Sequence, residues 1–115
     1  MKKILTKRIY DAATDSDGYR ILVDRLWPRG VSKEDAHLDD WIKEVAPTDE
    51  LRKWFDHDPK KFGEFEERYR SELNDKAEIL LQIRKKATDR TVTLLYGAKD
   101  TEHNQAIVLQ KVLAE

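Results

Sequence analysis

The 115-residue chain contains no cysteine, which excludes disulfides, thiolate metal ligands and a cysteine nucleophile, and fits a reducing compartment. Glycine is scarce, with four in all, so a glycine-rich cradle for a dinucleotide is hard to build. No G-x-G-x-x-G, Walker loop, H-E-x-x-H, G-x-S-x-G or EF-hand pattern occurs, and no cofactor is expected. Charge of one sign is not in excess either. The 22 Lys and Arg face 23 Asp and Glu, a formal net charge of -1, so bulk electrostatics draw the chain neither to polyanions nor to an acidic membrane surface. The opening MKKILTKRIYD lacks the roughly 7 to 15 residue apolar core of a signal peptide, and no run approaches the roughly 20 residues of a membrane span. The expectation is a cytoplasmic protein without a membrane partner, folded as one domain over residues 1–115.

What is there suffices for a core: 39% of the residues are hydrophobic, balanced by 39% charged. Charge is spread unevenly. Residues 1–31 carry seven basic and four acidic side chains, residues 32–75 eight and fourteen, and residues 76–115 seven and five. An anionic ligand is therefore better tolerated by surfaces built from the two chain ends than by the acidic middle.

Ile4 to Tyr10 and Tyr19 to Leu26 read as strands, rich in β-branched and aromatic residues and separated by the turn-forming DAATDSDG. Ser32 suits an N-cap, and Leu38, Trp41, Ile42 and Val45 then recur at helical spacing until Pro47. Thr48 caps a short helix. Asp58-Pro59 opens a longer one with Phe62, Phe65, Tyr69 and Leu73 on one face, and a break is expected at Asn74-Asp75 before Leu80, Ile83 and Ala87 resume the stripe. Thr91 to Tyr96 (TVTLLY) has the character of a strand buried in mid-sheet, and a last helix is expected from about Thr101. This order predicts an α/β fold: a small, mostly parallel sheet of three or more strands covered by four or five helices.

In such sheets ligands sit beyond the carboxyl ends of the strands, which nominates two loops. The loop Gly97 to Ala106 offers Lys99, His103 and Asn104 beside a helix start, where Asp100 or Thr101 would cap. The loop Asp24 to Gly30 offers Arg25 and Arg29, whose planar forks suit phosphate or carboxylate, with Trp27 able to stack on a ring. His57-Asp58 is better explained by Asp58 capping the helix that follows. The three histidines lack i, i+4 spacing, so no metal site is expected.

The segments KRIYD (7–11), DGYRILVDRLWPRGVSKEDA (17–36), LRKWFDHDP (51–59), FEERY (65–69) and TLLYGAKDTEHNQA (93–106) together resemble the YeaO-like family, a domain of unknown function. The resemblance spans nearly the whole length and implies a small α/β protein without an established reaction. Longer relatives carry a Cys-His-Arg style sequence around the positions of His103 and Asn104, and the lack of cysteine here counts against this chain sharing any thiol or metal chemistry at that place.

The leading expectation is a site of Arg8, Arg25, Arg29, Lys99 and Asn104 that binds a small anionic, phosphate-bearing ligand, with His103 as general acid or base if the protein is a hydrolase or transferase. Two alternatives belong to other classes. A nucleic-acid accessory module would use the basic chain ends and stack bases on Trp27 or Tyr96, against the near-neutral charge. A protein-interaction module without catalysis would present the acidic helices with Trp41, Trp54 and Phe55. The sequence leaves the oligomeric state open.

Overall fold

The computed structural model describes residues 3–115, so Lys2, counted above in the basic opening segment, lies outside the described residues. Four strands, β1 (Ile4–Arg8), β2 (Tyr19–Leu22), β3 (Asp40–Trp41) and β4 (Val92–Tyr96), form one sheet in the order β1-β4-β2-β3 with every pairing parallel. The helices are α1 (Lys33–Ala36), α2 (Asp49–Phe55), α3 (Phe62–Leu73), α4 (Ala77–Asp89) and α5 (Gln105–Ala114). The α/β class read from the sequence is the class observed.

β4 sits between two neighbours and all five of its residues are buried, as a parallel strand covered on both faces requires. Alternation divides its side chains. Val92, Leu94 and Tyr96, with Ile21 and Val23, face a large core filled by Phe55, Phe65, Tyr69, Ile83 and Leu109. Leu95 and Leu22 face a smaller cluster with Ile9 and Ala36, flanked by Trp27 and Trp41. Fully burying one such Leu or Ile is worth about 2 kcal/mol, so the larger face dominates stability.

The smaller face is polar toward the start of the strands. Arg20 is 4% exposed, and its guanidinium donates to Asp17 at 2.5 Å and to the carbonyls of Ala36 and His37. Burial alone would raise the Asp17 carboxyl. Hydrogen bonds from the Thr14 N–H, Lys7, the Thr14 hydroxyl and Arg20 outweigh that effect and hold it at about 2. Gly18, at φ 64, lies so close to β4 that a Cβ there would meet the Thr91 carbonyl oxygen at 2.1 Å.

One sequence expectation is corrected. The helix read from Ser32 to Pro47 stops at Ala36, where His37 turns left-handed at φ 47, and Trp41 lies on the edge strand β3 instead. The apolar spacing fitted a helix, but sheet pairing won: Asp39 N–H donates to the Arg20 carbonyl, Ile42 N–H to the Leu22 carbonyl, and the Asp39 carboxylate accepts from Arg20 N–H. Elsewhere the local signals hold. Thr48 caps α2 by accepting from Leu51 N–H, and Asp58 accepts from Lys60 N–H ahead of α3. A single 3-10 turn at Asn74–Lys76 separates α3 from α4 where the break was expected.

Candidate functional site

The register brings the carboxyl ends of three strands to one level. β1 and β4 pair from Ile4 with Val92 to Arg8 with Tyr96, and β2 pairs with β4 up to Leu22 with Leu95. Two further hydrogen bonds, Ile9 N–H to the Tyr96 carbonyl and Val23 N–H to the Leu95 carbonyl, carry this alignment into the loops. Asp24–Arg29 and Gly97–Asn104 therefore emerge side by side. Asp24–Arg29, Gly97–Asp100, His103 and Asn104, together with Ala46, Pro47, Arg52, Phe55, His57, Phe65 and Gln105, line a cleft of about 710 Å³, within the range of small-molecule sites.

At the seam of the two loops lies Asp24, a residue to which sequence reasoning gave no role. One carboxylate oxygen accepts the Gly97 N–H at 2.8 Å and the other accepts the Gln105 side-chain amide. Burial pushes the carboxyl up to about 6, although the Gly97 N–H, the Gln105 amide and the charge of His57 all favour its ionised form. A Cβ at position 97 would stand 3.1 Å from an Asp24 oxygen, so glycine there permits the close approach. The available signal was a lone carboxylate ending the apolar strand ILV at the sheet's carboxyl edge.

The expected cations divide by what already holds them. Arg25 donates from Nε to the Pro47 carbonyl at 3.0 Å and from an Nη to the Ala46 carbonyl at 3.1 Å, which fixes the guanidinium at the cleft wall. Arg29 and Lys99 are exposed at the rim, and neither side chain has a hydrogen-bond partner among the described residues. Arg52 lines the cleft as well, weakly paired with Asp49 at 3.5 Å. Arg8 is placed differently. Its guanidinium donates to the Ala98 carbonyl and lies 5.0 Å from the Tyr10 ring centroid, so it braces the β4 exit loop and is absent from the cleft lining.

His103 lines the cleft with its Nδ1 2.9 Å from an Asp100 carboxylate oxygen and its ring edge-on to Phe62. Asp100 itself is held below the usual carboxylate range by the Glu102 N–H and, to a lesser extent, by the N–H and imidazole of His103, which together outweigh desolvation. The helix start differs from the expected one. α5 begins at Gln105, and Asn104 is its N-cap, 1% exposed, accepting from Ile107 N–H and donating to the Asp100 carbonyl. Both ends of that amide are engaged, so Asn104 shapes the loop without offering a ligand a free polar group. Among the described residues no three His, Asp or Glu side chains cluster as metal ligands would.

The aromatic side chains are mostly structural. Tyr96 is 2% exposed and cannot stack on a base, and Phe55 lies in the large core, stacked on Phe65 at 4.3 Å. Trp27 donates to the Val31 carbonyl and packs edge-on against Trp41, leaving part of its surface in the cleft. Trp54 is covered by Lys61 and Arg68. No helix among the described residues is long and apolar enough to cross a membrane.

With this geometry in place, residues 3–115 match the family model described as "Inactive DUF488-N3 subclade". The chain is 48% identical over 106 residues to "Uncharacterized protein YeaO" of Escherichia coli (strain K12), covering 92% of each chain. It is 39% identical over 111 residues to "Uncharacterized protein Rv3073c" of Mycobacterium tuberculosis (strain ATCC 25618 / H37Rv), covering 96% of this chain and 93% of that one. No solved structure matches. Both the family model and the relatives cover almost the entire length, and the chain belongs to the YeaO-like DUF488 family.

Proposed function

We propose that the cleft binds a small anionic, phosphate-bearing ligand and that the protein acts by binding it. One observation carries the reading. In a chain of net charge -1, the cleft lining collects four permanent cations, Arg25, Arg29, Arg52 and Lys99, against the two carboxylates Asp24 and Asp100. Asp100 is already engaged by His103, and low dielectric walls concentrate the remaining positive field on the cleft. Arg25 is held in advance, so little side-chain entropy is lost when its remaining N–H groups meet an anion. His103 adds a donor to that set. The description of the matched subclade as inactive supports binding without turnover.

A thermal-shift screen of phosphate monoesters tests this. A ligand at 100 times its dissociation constant adds about 2.7 kcal/mol, on the order of 10 °C in Tm for a domain of this size. The double variant Arg29→Glu and Lys99→Glu alters two exposed side chains and should abolish the shift while keeping the ligand-free Tm. Equal shifts in the variant, or none for any anion with the native chain, would refute the proposal. Release of inorganic phosphate in the same mixtures would return His103 to the acid-base role expected from the sequence.

A further inference from the structure

The cleft is two-sided in its chemistry. Its walls are apolar: Leu26, Trp27, Pro28, Pro47, Phe55 and Phe65 all contribute, and Leu26 is 59% exposed. Arg29 and Lys99, unpaired among the described residues, are at the exposed rim, whereas the carboxyl of Asp24 is partly buried at the seam of the two loops. A bare phosphate or a small sugar phosphate would use the rim and leave these walls wet. A carboxylate at depth also repels a phosphate, so the anionic group belongs outside and a neutral part belongs inside.

Resting on the anion-binding reading above, we infer that the occupant is a phosphate monoester bearing a flat heteroaromatic ring, of the size of a nucleoside monophosphate, with its ring between the Leu26 and Phe55 sides and an N–H of the base, on the ring or on an exocyclic amino group, donated to Asp24. Each Asp24 oxygen accepts one hydrogen bond from the protein, from Gly97 or Gln105, and a carboxylate oxygen has room for a second. The same two bonds aim the carboxyl, so it is pre-positioned for the ring edge. The groups facing Asp24 are the Gly97 N–H just after β4, the Gln105 amide at the start of α5, His57 from beyond α2, and Tyr69 of α3, whose hydroxyl donates to the Val45 carbonyl. His57 is exposed, so it modulates this carboxyl from the solvent side. With its carboxyl pushed up to about 6, Asp24 accepts the base N–H freely above that pH.

Isothermal titration of the full chain at pH 7.5 with AMP, GMP, CMP, UMP, ribose 5-phosphate, adenosine and inorganic phosphate tests the inference. At least one nucleoside monophosphate should bind about tenfold or more tightly than ribose 5-phosphate, since the buried ring contacts are lost in the latter. Asp24→Asn should weaken that nucleotide about tenfold and change ribose 5-phosphate little. Leu26→Ser, at an exposed position that leaves the fold intact, should act in the same selective direction. Ribose 5-phosphate binding as tightly as every nucleotide would overturn the ring and keep the anion site. Adenosine binding as tightly as AMP would overturn the placement of the phosphate on the rim cations, and no binding by any of the phosphates would overturn both readings. Nucleotide binding that is unchanged in Asp24→Asn would remove Asp24 from the recognition.

Discussion

Asp24 should cost the fold stability at neutral pH, and the size of that cost follows from the structure. Its carboxyl is pushed by burial from 3.8 to about 6, a change of roughly two pH units. At about 1.4 kcal/mol per unit, the folded state is destabilised by on the order of 3 kcal/mol once Asp24 is ionised. The direction is set by proton linkage. Between pH 3.8 and 6 the folded protein keeps a proton that the unfolded chain has released, so this contribution is complete below about 4 and is lost as pH rises through 6. Asp24→Asn removes the titration and, at all pH values alike, sets an amide where the second carboxylate oxygen accepted a hydrogen bond. Urea unfolding of both proteins from pH 4 to 7 isolates the effect as a slope. The variant should gain on the native chain by about 3 kcal/mol over that interval, whatever the constant offset. A stability difference that stays flat with pH would show that Asp24 titrates normally and would undo the argument that a charge is being held in the cleft at the expense of stability.

Asp17 should behave in the opposite sense. Asp17→Asn leaves the buried Arg20 guanidinium uncompensated and is expected to cost about 3 kcal/mol in urea unfolding at pH 7. Because the native carboxyl titrates at about 2, below its ordinary 3.8, its stabilisation is present above about pH 4 and disappears toward pH 2, where variant and native chain should converge. Gly18→Ala combines a positive φ with a Cβ that meets the Thr91 carbonyl oxygen, and should lose at least about 3 kcal/mol, measured as a fall in Tm. Asn104→Ala removes the cap of α5 and should lower stability by about 1 kcal/mol in the same assay.

The fold was legible where local chemistry and tertiary demand agree. Val92–Tyr96 is apolar throughout because it is buried on both faces of a parallel sheet, and that pattern is visible without coordinates. Thr48 and Asp58 act as caps because their side chains reach N–H groups only two or three residues on. Residues 33–46 misled because Leu38, Trp41, Ile42 and Val45 fit helical spacing, whereas the segment is fixed by pairing to β2 across some twenty residues of sequence. The loops after β2 and β4 meet at the sheet's carboxyl edge, where Arg25, Arg29 and His103 border one cleft and Arg8 does not. Which of their polar atoms are spent was not readable. Arg8 is occupied by the Ala98 carbonyl, Asn104 by the α5 cap, and Asp24 takes its place at the seam through bonds to Gly97 and Gln105, more than seventy residues away.

The most direct check on the cleft as an anion site is an NMR titration of the 15N-labelled chain with a nucleoside monophosphate. Amide shifts should concentrate in Asp24–Arg29 and Gly97–Gln105, with the Arg29 and Lys99 side-chain signals moving alongside them. The Asp17–Arg20 segment and the exposed face of α4 should stay still. Shifts scattered over the basic surface, or confined to residues outside these two loops, would contradict the account.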